Sequence, residues 1–123
     1  MKQLSSDDIR KLHLLLSQLR TGVFDEIQIS KANLANLHEA IENEGRTGSD
    51  TSELIRLEQL RTSELAIDKD RFAAVKEAEQ RMNDGRYGIC IECGKLIATA
   101  RLFALPTATR CAECQDNKHF NLD

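Results

Sequence analysis

Apolar residues recur every three or four positions through the first third of the chain. This near-heptad spacing is typical of a long helix that packs against a second helix along one face. Ser5 and the carboxylates of Asp7 and Asp8 predict its start, and Gly22 lies beside a slip in the repeat where the helix can bend. The apolar positions are Ile9, Leu12, Leu16, Leu19, Val23, Ile27, Leu34, Leu37 and Ile41.

A polar stretch with two glycines at residues 44–51 interrupts this pattern and predicts a turn. Asp50 or Thr51 is expected to cap the helix that follows. The second apolar series is less regular, because Arg61 and Asp68 stand where a strict heptad would place leucine. Its members are Leu54, Leu57, Leu60, Leu65, Phe72, Val75 and Met82.

Two long helices joined by a short turn form an antiparallel hairpin. No proline interrupts them, since Pro106 is the sole proline of the chain. The pattern therefore predicts a mainly α fold, with a coiled-coil helical hairpin over residues 6–84 and its tip at about residues 44–52. Such a pair of helices has no thick core, so its open end is expected to dock on the segment that begins at Gly85.

All four cysteines of the chain lie in that C-terminal segment, as two C-x-x-C pairs with 17 residues between them. This spacing is typical of a tetrahedral four-thiolate zinc site, in which each pair binds the metal from one tight turn. We therefore expect residues 85–118 to form a zinc finger that holds one structural Zn²⁺ per chain. Four thiolates leave no open position for water or substrate, so no enzymatic activity is expected. The predicted ligands are Cys90, Cys93, Cys111 and Cys114.

Other uses of the cysteines fit the chain less well. Disulfides suit a secreted protein, but the sequence opens with Met1-Lys2-Gln3 and shows no apolar signal segment, which favours the cytoplasm. A thioredoxin-like motif needs one pair beside a βαβ pattern. The net charge of −3 and a pI of about 5.6 give no broad attraction to nucleic acid or to an anionic membrane. Neither sequence-specific DNA binding nor membrane binding is expected.

The predicted turn is acidic. Residues 39–53 hold five carboxylates against Arg46 alone, a net charge of −4. A solvated turn explains such a cluster in an arbitrary hairpin, whereas a partner-binding tip would use the charge directly.

The C-terminal segment resembles the DksA/TraR family of C4-type zinc-finger proteins. The resemblance is specific over residues 87–115 and covers residues 6–118 in the order and size of the elements. It rests on Tyr87-Gly88-x-Cys90-x-x-Cys93-Gly94-x-x-Ile97, on Arg101-Leu102-x-Ala104-x-Pro106-x-Ala108, and on Cys111-x-x-Cys114-Gln115. Arg101 and Pro106 are thus part of the family signature outside the cysteines.

The resemblance implies a regulator that binds bacterial RNA polymerase by inserting its hairpin into the secondary channel. We expect the protein to be a monomer. The family's tip motif, D-x-x-D-x-A, falls on Thr47, Asp50 and Ser52, so the second carboxylate is kept and the first is lost. Asp50 is the expected functional residue of the tip, followed by Glu44 and Glu53.

Members that respond to guanosine tetraphosphate carry basic residues at three positions that correspond here to Ala74, Leu105 and Gln115. Nucleotide sensing through those positions is therefore not expected. Two other functions remain open from the sequence. One is a zinc-stabilised protein-interaction module that does not act on polymerase, and the other is a thiol redox sensor that releases its metal on oxidation.

Overall fold

A computed structural model describes residues 4–44 and 48–120, with the backbone alone at residues 44, 48–50 and 118–120. Within these ranges the chain forms four helices and no strand; Ile89 and Leu96 make an isolated antiparallel bridge. The predicted mainly α fold is confirmed. None of the described helices has an apolar stretch long enough to cross a membrane. The helices are α1 (Ser6–Glu44), α2 (Gly48–Asn83), α3 (Thr99–Ala104) and α4 (Ala112–Phe120).

Helix α1 begins where the sequence predicts. The Ser5 hydroxyl accepts a hydrogen bond from the Asp8 backbone N–H at 3.0 Å, and the Asp8 carboxylate accepts one from the Ser5 N–H at 3.3 Å. This reciprocal pair satisfies two backbone donors that the helix itself leaves free. The predicted cap of α2 is wrong, because α2 begins at Gly48 and Asp50 and Thr51 therefore lie within its first turn.

The chain divides into two compact units. The first, which we call the cysteine unit, comprises residues up to Arg20 and from Ala74 onward. Its apolar core holds two groups of buried side chains that mix both long helices with the cysteine segment. They are Leu12, Cys90, Ile97 and Leu102 in one group, and Leu16, Val75 and Ala78 in the other.

The second unit, the hairpin unit, comprises residues 21–73. Its buried side chains are Val23, Ile27, Leu34 and Leu65, with Phe72 packed against them. Charged pairs also cross between the two helices. Arg71 donates to Glu26 at 3.1 Å, and His38 lies 2.6 Å from Glu58. The seam of this unit is thus part apolar and part ionic.

Two leucines of the predicted apolar series of α2 are not in the seam. Leu57 and Leu60 are exposed, because successive steps of three residues from Leu54 rotate the side chains away from the partner helix. A heptad that runs through Leu54 and Leu65 instead passes through Glu58 and Arg61. The predicted irregularity of the apolar series at Arg61 is confirmed, since this side chain pairs with Glu64 of the same helix.

Candidate functional site

The structure brings the four predicted cysteines together. Their sulfur atoms all lie within 4.8 Å of one another. Cys90 is buried, Cys93 is exposed, and Cys111 and Cys114 are half-buried. The cluster therefore lies at the edge of the cysteine unit, with one ligand in the core and one in contact with solvent.

A tight turn positions the first pair. The Cys90 N–H donates to the Lys95 carbonyl at 2.8 Å, and the Gly94 N–H donates back to the Cys90 carbonyl at 3.0 Å. Gly94 has a φ of +75°, a left-handed conformation that a side chain would strain. The glycine after the second cysteine is therefore needed for the turn.

The second pair stands at the start of helix α4. Cys111 precedes the helix and its carbonyl accepts from the Gln115 N–H at 3.0 Å, so both sulfurs project from one helical turn. The two pairs are linked by backbone and by charge. The Ile91 N–H donates to the Thr109 carbonyl at 2.9 Å, and Arg110 pairs with Glu92 at 3.1 Å.

The sulfur positions fit a tetrahedral zinc site. A Zn–S bond of about 2.3 Å requires sulfur atoms about 3.8 Å apart along the edges of the tetrahedron. The sulfurs of Cys93 and Cys111, one from each pair, are 3.8 Å apart. The four cysteines can therefore hold one zinc ion, and a closed thiolate set of this kind is typical of a structural site.

Hydrogen bonds prepare one of the thiols for ionisation. Burial raises the pKa of Cys90, but donors from the backbone of Cys93, Cys111 and Glu92 outweigh it and bring the pKa below the usual value. Hydrogen bonds from the Cys114 thiol to its neighbours raise the pKa of Cys114. Zinc binds the thiolate form of cysteine, so these backbone donors favour the protonation state of Cys90 that the metal requires.

Arg101 and Pro106 of the family signature lie between the two C-x-x-C pairs, and each takes part in a hydrogen bond to a backbone carbonyl. Pro106 accepts a hydrogen bond from the Tyr87 hydroxyl through its carbonyl at 2.7 Å. Arg101 lies in α3 and donates through Nε to the Arg110 carbonyl at 3.0 Å. Both residues therefore tie the loop between the two pairs to the segments that carry the cysteines.

Arg81 belongs to the same network, although the sequence pattern does not single it out. Its side chain is only 8% exposed and donates to the carbonyls of Ile89 at 2.7 Å and Arg86 at 3.2 Å. A basic residue in the last turn of a helix is common because it complements the helix dipole. The sequence holds no signal that such a residue reaches back to the start of a metal-binding turn.

The predicted tip is described only in part. Thr47 lies outside the described residues, and nothing is described of the side chains of Glu44 and Asp50. Ser52 and Glu53 are exposed residues of α2. Glu53 is 3.4 Å from Arg56 in an exposed pair, a kind of contact that contributes little to stability.

Together the helices and the cysteine cluster define a class of protein, a helical hairpin combined with a four-cysteine zinc finger. Residues 85–117 match the family model of the prokaryotic dksA/traR C4-type zinc finger. An RNA polymerase-binding transcription factor DksA from Caulobacter vibrioides is 32% identical over 110 residues, which span 87% of this chain and 75% of that protein. The chain belongs to the DksA/TraR family.

Two further proteins are similar to this chain. The structure of transcription factor DksA2 from Pseudomonas aeruginosa aligns with a TM-score of 0.80 at 25% identity, over 94% of this chain and 85% of that one. General stress protein 16O from Bacillus subtilis is 37% identical over 57 residues, or 46% of this chain and 35% of that protein. The predicted coiled-coil hairpin with a C-terminal zinc finger is thereby confirmed.

Proposed function

We propose that this protein is a transcription regulator that binds bacterial RNA polymerase through its helical hairpin. The observation that carries the proposal is the extent of the match to the polymerase-binding factor of Caulobacter vibrioides. That match covers 87% of this chain, so it includes both the hairpin and the zinc finger. The likeness to transcription factor DksA2 extends over 94% of the chain and supports the same function.

In this proposal the zinc finger is a scaffold. Cys90, Cys93, Cys111 and Cys114 are its ligands, and when bound the metal supplies a fixed tetrahedral junction between the two C-x-x-C turns. Four thiolates fill the coordination sphere, so the metal has no position at which to activate a water molecule. The protein therefore acts by binding and not as an enzyme.

The working part of the hairpin is its tip. We assign the main role to Asp50, with Glu44, Thr47, Ser52 and Glu53 as neighbouring contacts. Inserted through the secondary channel, a carboxylate at the tip would change charge and hydrogen bonding near the catalytic Mg²⁺ of the polymerase. Such a contact alters promoter complexes when it is more favourable in one polymerase conformation than in another.

The charge of the chain agrees with a protein partner and not with direct reading of DNA. The net charge is −3, and proteins that bind DNA on their own usually present a basic face. We therefore propose that the protein acts as a monomer in the cytoplasm, where bacterial RNA polymerase is found, and makes no sequence-specific contact with DNA.

A binding assay with core RNA polymerase tests the proposal. The wild-type protein is expected to bind and to change the lifetime of promoter complexes in transcription. Asp50→Asn should bind while losing most of the effect on lifetime, because it removes the charge and keeps the size. The matched control is Asp70→Asn, which changes an exposed carboxylate of the same helix and should behave as wild type.

Two results would refute the proposal at different levels. If the wild-type protein does not bind core polymerase at moderate salt, the function itself is wrong. If Asp50→Asn changes promoter-complex lifetime as fully as wild type, the protein remains a polymerase-binding regulator but Asp50 has no part in its mechanism.

A further inference from the structure

The peptide group that leads into the first C-x-x-C pair is held at both ends. Its carbonyl, that of Ile89, accepts a hydrogen bond from Arg81 at 2.7 Å. Its N–H, that of Cys90, donates to the Lys95 carbonyl at 2.8 Å. Because a peptide group is planar, these two hydrogen bonds fix the orientation of the peptide plane. They therefore constrain the direction of the Cys90 side chain.

The second pair is approached in the same way. The carbonyl that precedes Cys111 is that of Arg110, and it accepts a hydrogen bond from Nε of Arg101 at 3.0 Å. Arg81 comes from the last turn of α2 and Arg101 from α3, so two separate helices supply the donors. In each C-x-x-C pair, the carbonyl directly before the first cysteine therefore accepts a hydrogen bond from a guanidinium group.

Neither guanidinium group forms an ion pair with a described carboxylate. By contrast, Arg86 pairs with Asp84 and Arg110 pairs with Glu92 in the same unit. Arg81 is also the most buried cation of the described side chains. A buried charge is unfavourable unless an opposite charge compensates it. Four thiolates with one Zn²⁺ carry a net charge of −2. The peptides that Arg81 and Arg101 hold come directly before the cysteines of this anionic centre.

We infer that Arg81 and Arg101 are positioning residues of the zinc site, each holding the peptide that carries the first cysteine of one pair. Their charge favours the anionic metal centre, and their hydrogen bonds orient the backbone that presents it. Planar guanidinium groups suit this role because they donate in a fixed geometry and stay charged. The inference rests on the zinc site alone, so its failure would leave the polymerase proposal intact.

The rate of zinc release to a chromogenic chelator tests the inference on the full-length protein. Arg81→Met and Arg101→Met keep much of the side-chain length but remove the charge and the donors. Each is expected to release zinc about tenfold faster than wild type, which corresponds to about 1.4 kcal/mol. Arg86→Met is the matched control, since the Arg86 side chain is exposed and its backbone carbonyl is unchanged. It should release zinc at the wild-type rate.

Cobalt substitution separates positioning from a general loss of stability. The ligand-field bands of Co²⁺ in the four-thiolate site should shift in Arg81→Met and Arg101→Met at full occupancy, because the sulfur directions change. Arg81→Lys keeps the charge but not the planar fork, and it should release zinc at a rate between those of wild type and Arg81→Met. Wild-type release from both Met variants, equal acceleration by Arg86→Met, or unchanged cobalt bands in both Met variants would each overturn the inference.

Discussion

The cysteine unit and the hairpin unit bury their apolar side chains to different degrees. In the cysteine unit Leu12, Leu16 and Leu102 are wholly buried. In the described part of the hairpin unit the buried residues are fewer and none is wholly buried, while both units also expose large apolar side chains, such as Leu60 at 53% and Leu14 at 58%. The same kind of element, a long amphipathic helix, is thus held by a packed core in one unit and by a narrow seam in the other.

The hydrogen bonds and ion pairs also differ between the two units. In the cysteine unit the carbonyl before the first cysteine of each pair is bound by an arginine, and a backbone hydrogen bond from Ile91 to Thr109 joins the two C-x-x-C segments. In the hairpin unit the cross-helix contacts are ion pairs with partly exposed partners, such as Arg71 with Glu26. Partly exposed ion pairs add little stability. Most of the stabilising interactions are therefore concentrated where the metal binds, and the hairpin is left marginal.

Removal of the metal is expected to have the largest effect on the difference between the two units. Structural zinc contributes on the order of 10 kcal/mol to small zinc-binding domains. A chelator should therefore unfold the cysteine segment, and trypsin should then cut quickly after Lys95, Arg101 and Arg110. Cleavage in the hairpin unit, after Arg56 and Arg61, should change less, because these side chains are already exposed in a marginal hairpin. Mass spectrometry of timed digests measures both rates.

Metal analysis of the untreated protein, with one zinc per chain expected, is the reference for this experiment. A chelator already saturated with zinc serves as the control. If the protein without metal resists trypsin as well as the zinc-bound protein does, the metal has no scaffold role.

A pair of leucine substitutions is expected to give the next largest effect. Leu12→Ala opens a cavity among fully buried side chains and should reduce the free energy of unfolding by about 2–5 kcal/mol. Leu60→Ala changes an exposed leucine of the hairpin unit, and its effect should stay within about 0.5 kcal/mol. Urea unfolding with excess zinc measures both. Equal shifts of the two midpoints would contradict the difference between the units.

Tyr87 allows a test of the cysteine unit by pH. Burial raises the pKa of Tyr87 to about 12, above its ordinary value near 10, and its hydroxyl donates to Pro106. The unfolded chain then loses this proton at lower pH than the folded chain does. The contribution of Tyr87 to stability is therefore complete below about pH 10 and is lost as the pH rises through 12.

The measurement is direct because Tyr87 is the sole tyrosine and the chain has no tryptophan. The ultraviolet absorbance of the phenolate should follow a single late transition in the folded protein and an ordinary one in urea. Tyr87→Phe should remove the signal and flatten the fall of stability at high pH. An ordinary pKa in the folded protein would mean that the hydroxyl is not buried.

Much of the fold follows from the sequence because helix packing has a period. The heptad positions of α1 correctly predicted the burial of Leu12, Leu16, Val23, Ile27 and Leu34, whereas Ile9 of the same series is 41% exposed. The zinc site was equally predictable, since the spacing of cysteines reflects the local turn that binds a metal. Gly94 illustrates this, with the positive φ that the turn requires.

Other features depend on contacts that no periodic sequence pattern predicts. Arg81 reaches the carbonyl of Ile89, and nothing in its spacing from the cysteines distinguishes it from a surface arginine at a helix end. Helix α3 has only six residues, too few for a hydrophobic period to appear. The exposure of Leu60 depends on which of two overlapping repeats forms the seam, and that is decided by packing against α1.

A substitution at Asp68 is expected to change stability least. Asp68 lies at a seam position that a regular coiled coil fills with leucine. Its side chain is only 16% exposed and is paired with Arg71 at 2.9 Å. A partly buried ion pair contributes little net stability, and exchange for an apolar side chain is often favourable. Asp68→Leu should therefore raise the free energy of unfolding of the hairpin unit by about 1 kcal/mol. Arg71 keeps Glu26 as its partner, so no charge is left unpaired.

The matched control for Asp68→Leu is Asp70→Leu, at an exposed position two residues along the same helix. It should leave stability nearly unchanged, because it buries no apolar surface. Amide hydrogen exchange resolves the effect by residue, and protection should rise around Leu65 and Phe72 in the Asp68 variant alone. Loss of protection there would mean that Asp68 holds Arg71 in place for its pair with Glu26 of α1, and that this pair holds the helices together. The hairpin unit would then be stabilised by its charges, and its difference from the cysteine unit would lie in the kind of contact and not in the amount.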